Sequence, residues 1–217
     1  NAGDLTATSG FGGAFGIYAS AANGTATISN VGAIQAYSTS RGALGIVALG
    51  DSVDVENAGS ISAHAYTEYG GSAGAGPAIG ILAYGAQVHV GNAGSIDVHA
   101  YGNALGIVAD GDNVGVENSG SLVAYSVYGD AQGLAASGAN VVVDNRGSVD
   151  ATSTHGDAIG LLAQGYNAVL VDNSGLITAT DDDYAVGVSL DSTTGVATLV
   201  NSGMIRTHSI LDGEVAV

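Results

Sequence analysis

The stretch NAGSIDVHAYGNALGIVADGDNVGVEN, residues 92–118, reads as one turn of a repeating structure. It opens and closes on asparagine. Between Asn92 and Asn118 lie three short segments in which apolar residues alternate with other types. The first follows Asn-x-Gly, the second is Ala104-Leu105-Gly106-Ile107-Val108-Ala109, and the third runs through Val116 and Glu117 into Asn118. A period of two indicates strands rather than helices. The step Gly111-Asp112 marks a turn between the second and third segments.

Outward from this stretch the same pattern covers the chain. Asn-x-Gly-x-(Ile/Leu/Val) begins at Asn1, Asn30, Asn57, Asn92, Asn118, Asn145, Asn173 and Asn201, with spacings of 29, 27, 35, 26, 27, 28 and 28. Three strands and three turns in about 27 residues make one coil of a parallel β-helix, since a strand needs neighbours and coils stacked about 4.8 Å apart supply them. The expected fold is therefore all-β: one β-solenoid over 1–217, of about eight coils. Like then stacks on like. The first strands would line the interior with Leu5, Ile34, Ile61, Ile96, Leu122, Val149, Ile177 and Ile205. The second would add Ile17, Ile46, Ile81, Ile107, Leu134, Leu161 and Val188, and the third Ile28, Val55, Val90, Val116, Val143, Val171 and Leu199. The asparagines would form a structural ladder at one corner, where Asn tolerates left-handed backbone and bonds its own turn or the coil above. The glycine two residues on suits the same bend.

Composition narrows the function classes. Twenty acidic residues against three basic ones (Arg41, Arg146 and Arg206) give a net charge of −17. Phosphate binding needs clustered positive charge, so nucleic acid is not an expected partner. No run of about 18 apolar residues occurs, so membrane insertion as a helix is not expected. Cysteine is absent, which excludes disulfides and thiolate metal sites and fits export through an oxidising compartment.

The repeat Asn-(Ala/Ser)-Gly-Ser-Ile-x-(Ala/Val)…Ala-x-Gly-Φ-x-Ala…Val-x-Val-x-Asn, Φ being aliphatic, resembles the passenger domains of Gram-negative autotransporters and filamentous-haemagglutinin-type adhesins. The likeness runs over the whole chain. It implies a secreted protein displayed on the outer surface of a Gram-negative cell, and it carries over no catalytic residue.

Function must then reside on outward positions, turns or ends. Strict alternation around the second-strand ladder puts Ala43, Gly45, Val47, Ala78, Gly80, Leu82, Ala104, Gly106, Val108, Ala158, Gly160 and Leu162 outside, a flat apolar assembly face for another copy or a partner. Seven residues after each asparagine an outward polar and aromatic strip includes Tyr37, His64, His99 and Tyr125, which could dock a glycan or a neighbouring surface. His64 and His99 would sit one coil apart, close enough to share a metal, although two histidines without a carboxylate constellation are a weak signal. Before the asparagines, Glu56, Glu117, Asp144 and Asp172 recur. Solvated charge is the favoured reading of that row. The alternative is a Ca²⁺ site at Glu117, Asp144 and Asp172, and no other cofactor is expected. The 35-residue spacing inserts a longer loop at 66–77, where Tyr66, Tyr69 and Pro77 are candidates for partner contact.

The expected protein is a non-catalytic structural or adhesive solenoid. Both ends break off in mid-pattern, with 213–217 reading as a strand still running, so either the segment is cut from a longer array or copies join end to end into a fibre, while the apolar face leads to an expected lateral homo-oligomer. The alternatives are a β-helix lyase or hydrolase, which needs clustered carboxylates or an Asp with a basic residue, and an ice-, mineral- or glycan-surface binder, for which only Thr6, Thr8, Thr178 and Thr180 fit.

Overall fold

The computed structural model describes residues 1–66 and 76–209. It is an all-β parallel solenoid of about seven turns. Two sheets run its length. One has eight strands, from Leu5–Ser9 to Met204–Ser209, and each pairs in parallel with the equivalent strand of the next coil. The other is built from longer strands such as Ala43–Asn57, Ala104–Asn118 and Ala131–Asn145. These long strands correct the expected three-strand coil. In most coils the chain bends at steps such as Gly111-Asp112 while its pairing to the neighbouring coil continues, so the second and third segments belong to one sheet.

The interior consists of like-on-like columns. Ile34, Ile61, Ile96, Leu122, Val149 and Ile177 are buried and in register, as are Ile46, Ile81, Ile107, Leu134 and Leu161, and Val55, Val90, Val116, Val143 and Val171. Truncating one such isoleucine to alanine costs about 2–5 kcal/mol by the usual cavity arithmetic.

Ala-x-Gly-Φ-x-Ala is where strict alternation fails. Gly45 and Ile46 both face the interior, and the pairing register omits the Gly45–Gly80 step. A Cβ on Gly45 would collide with Ile61 Cγ2, and the same holds for Gly80 with Ile96 and Gly160 with Ile177. Each glycine is therefore a socket for the large side chain of the next coil's first strand. The expected assembly face is corrected accordingly. Ala43, Gly45, Ala78, Gly80, Ala104, Gly106, Ala158 and Gly160 are buried core, because the kink at glycine moves everything before it to the opposite face. Val47, Leu82, Val108 and Leu162 occupy the row in register with exposed Tyr18, but Val47 is buried and the other three are half-buried. Phe15, Leu44, Ile79, Leu105 and Ile159 form the other outer row.

At the asparagine corner, each Asn Nδ2 donates to the Oδ1 of the next Asn, from Asn1 through Asn30, Asn57, Asn92, Asn118, Asn145 and Asn173 to Asn201, at 2.7–3.0 Å. Each Asn carbonyl also accepts the two N–H groups that follow the next Asn, as in Ala58 and Gly59 on Asn30. Asn30, Asn57, Asn92, Asn118, Asn145 and Asn173 are buried, so the ladder satisfies amides that would otherwise be costly. The glycine two residues on is required for a reason other than left-handed backbone. A side chain on Gly59 would strike the carbonyl oxygen of Gly32, and Gly94, Gly120, Gly147 and Gly175 repeat that close approach.

The 35-residue step leaves this register intact. Asn57 bonds Asn92 at 2.8 Å, Ala65 pairs with Ala100, and Ala78 pairs with Ala43 and Ala104. Pro77 is exposed and its carbonyl accepts Ala43 N–H, while Tyr69 and 213–217 lie outside the described residues. Among the described residues, no helix is long and apolar enough to cross a membrane.

Candidate functional site

On the solvent face of the eight-stranded sheet, Thr8, Tyr37, His64, His99, Tyr125, Thr152, Thr180 and His208 occupy one row, coil above coil. Parallel strands hold such positions about 4.8 Å apart, which is stacking distance for rings. Tyr37 and His64 have centroids 6.3 Å apart, His64 and His99 5.0 Å, and His99 and Tyr125 5.4 Å.

A second aromatic column runs beside this row. As the chain leaves the strand, Tyr66 N–H donates to Ser38 O and Tyr101 N–H to Ala65 O, which turns both rings along the same surface. Tyr66 lies 5.8 Å from Tyr37 and from His64, and 5.7 Å from Tyr101. Tyr101 stacks on Tyr128 at 5.9 Å and 17°, and Tyr128 on His155 at 5.4 Å and 27°. The eight rings are thus contiguous. Tyr101, Tyr128 and His155 escape a fixed-offset reading. Tyr66 and Tyr101 stand nine residues after their asparagines, whereas Tyr128 and His155 stand ten after theirs. A search for aromatics near the end of each first strand, allowing that slip, would have found them.

Below the histidines the neighbouring outward row carries Ser62 and Asp97, which are register partners. Asp97 Oδ1 is 3.0 Å from His99 Nε2, and its Oδ2 is 3.5 Å from His64 Nε2. Ser62 Oγ lies 3.0 Å from the same His64 nitrogen. The two histidines therefore do have a carboxylate between them, contrary to the expectation from sequence. Burial, and next the proximity of His99, lowers the pKa of His64 against the opposing pull of Asp97, which favours the neutral imidazole. Beside this cluster, on its Tyr37 side, is a shallow depression of about 370 Å³ lined by Thr6, Thr8, Gln35, Tyr37, Ser62 and His64.

 A separate depression of about 520 Å³ lies around Tyr84, Asp110, Asp112 and Tyr166.

The other outward residues fall elsewhere. On the second sheet, His89 Nε2 is 3.2 Å from Glu56 Oε1, with Asp54 close by, at the edge of an open 710 Å³ groove that includes Thr27, Ser52, Gln87 and Asn113. Glu117, Asp144 and Asp172, the row for which Ca²⁺ is the alternative expectation, are in register, and Arg146 Nη2 pairs with Asp144 Oδ2 among them. Among the described residues, the groups of three ligand-bearing side chains that close on one point are His64, Asp97 and His99, and Asp54, Glu56 and His89.

Fold and surface together define a parallel β-solenoid with a filled interior and an external aromatic strip. A scan against protein-family models finds no match, and searches of curated proteins and of solved structures return none either.

Proposed function

We propose that this chain is part of a non-catalytic, adhesive β-solenoid displayed on the outside of a Gram-negative cell, and that it binds through the aromatic strip. The observation that carries this reading is the run of eight contiguous rings, from Tyr37 to His155, on and beside a solvent-facing sheet of a rod whose interior is filled by aliphatic columns. Aromatic faces with polar edges suit the apolar faces and hydroxyls of sugars, so a glycan is the favoured ligand. The resemblance of the repeat to autotransporter passengers supports export and surface display.

The test is binding of the purified chain to a glycan panel, compared with the double variant Tyr101→Ala/Tyr128→Ala. Both side chains lie outside the core, so the fold survives and circular dichroism stays unchanged. Loss of at least tenfold in affinity is expected. Equal binding by the variant, or no glycan bound by either protein, overturns the reading.

A second reading has its own observation: Asp54, Glu56 and His89 cluster beside the 710 Å³ groove, and carboxylates beside a histidine are the raw material of acid–base chemistry. Incubation with acidic polysaccharides separates the two readings, because a lyase or hydrolase releases unsaturated products or new reducing ends and an adhesin releases neither.

A further inference from the structure

We propose that His64, Asp97 and His99 form a binding site for a borderline divalent transition metal such as Zn²⁺. Two imidazole nitrogens and a carboxylate are the donor set that such ions take, whereas Ca²⁺ and Mg²⁺ favour oxygen throughout.

The geometry follows from the solenoid. His64 and His99 are register partners on adjacent strands, and Asp97 stands two residues before His99, on the same face. The three ligand atoms lie within 4.8 Å of one another. Tetrahedral bonds of about 2.0–2.1 Å place neighbouring ligand atoms about 3.3 Å apart. Asp97 approaches the two rings through different oxygens, Oδ1 at 3.0 Å from His99 Nε2 and Oδ2 at 3.5 Å from His64 Nε2, each close to that spacing. Three ligands from two paired strands need no loop to close over the ion, and strands position ligands more firmly than loops do. Each side chain remains partly exposed, at 26% for His64, 33% for His99 and 48% for Asp97, which leaves an entry path and a fourth coordination position facing solvent. Tyr37, Tyr66 and Tyr125 wall the site. Asp54, Glu56 and His89 form a poorer competitor, with one nitrogen and more exposed ligands.

Calorimetric titration of the purified chain with ZnCl₂ tests the site, and its outcome is independent of adhesion because no glycan is present. One equivalent should bind, and affinity should fall at least tenfold in His64→Ala, His99→Ala and Asp97→Asn while remaining unchanged in His89→Ala. Circular dichroism checks that each variant stays folded. Cu²⁺ bound to the parent chain should show electron paramagnetic coupling to two imidazole nitrogens, reduced to one in His99→Ala. Absence of saturable Zn²⁺ binding below millimolar concentration overturns the proposal, as does binding that persists in His99→Ala and Asp97→Asn or disappears in His89→Ala.

Discussion

Replacing Gly80 with alanine tests the packing rule that ties the two sheets together. A Cβ at this position would stand 2.5 Å from Gly106 O, closer still to Ile96 Cγ2, and 3.3 Å from Val98 Cγ2. Carbon contacts settle near 3.5–4.0 Å, so the new methyl is about 1 Å too close on two sides. The carbonyl belongs to the next coil's backbone, and Ile96 is locked between Ile61 and Leu122 in its own column. Neither can retreat without disturbing neighbouring coils. Overpacking of this kind costs about 1–3 kcal/mol, and the involvement of backbone puts Gly80→Ala at the upper end. Gly115→Ala is the matched control, since its Cβ would meet nothing nearer than His89 Nδ1 at 3.6 Å. That change should be neutral, or stabilising by about 0.4–1 kcal/mol through the unfolded chain. Urea unfolding followed by circular dichroism reads both variants against the parent. A Gly80→Ala protein within about 0.5 kcal/mol of the parent, or a Gly115→Ala protein destabilised to the same degree, would refute the socket argument.

Two further outcomes are expected. Asn118→Ala removes the acceptor for Asn92 Nδ2 and the donor to Asn145 Oδ1, both buried, and should cost about 2–5 kcal/mol in urea unfolding; a loss below 1 kcal/mol would show that the ladder is dispensable. Because His64 has a lowered pKa when folded, the unfolded chain binds its proton first as pH falls below about 6.5. The contribution of His64 to stability is therefore complete above that pH and is lost on acidification until the folded-state pKa is passed. The groups facing His64 are His99, Asp97, Tyr37 and Tyr66, so the comparison is made within one background: melting temperature should fall less between pH 7.5 and 5 in His64→Gln than in the parent, and parallel curves would contradict the assignment.

Much of the site was half legible. Tyr37, His64, His99 and Tyr125 share a fixed offset from the asparagines and were visible as a strip, because that part of each coil is a plain alternating strand. Tyr66 was visible only as a loop residue. Its partners Tyr101, Tyr128 and His155 were hidden, since the corner after the strand lengthens by one residue between coils and the offset slips. Asp97 went unnoticed because its role depends on His64, which is distant in sequence and adjacent only after two coils stack.

The sequence alone determined the solenoid, its inward aliphatic columns and its asparagine corner. Those features recur with the period of the fold, and identical residues on successive coils satisfy one another. Only the tertiary structure decided which way the Ala-x-Gly-Φ segment faces. A single kink at Gly45 and its equivalents reverses the alternation, turning an expected outer face into core. That kink is imposed by the isoleucine of a neighbouring strand pressing into the glycine, and no local pattern records such a contact.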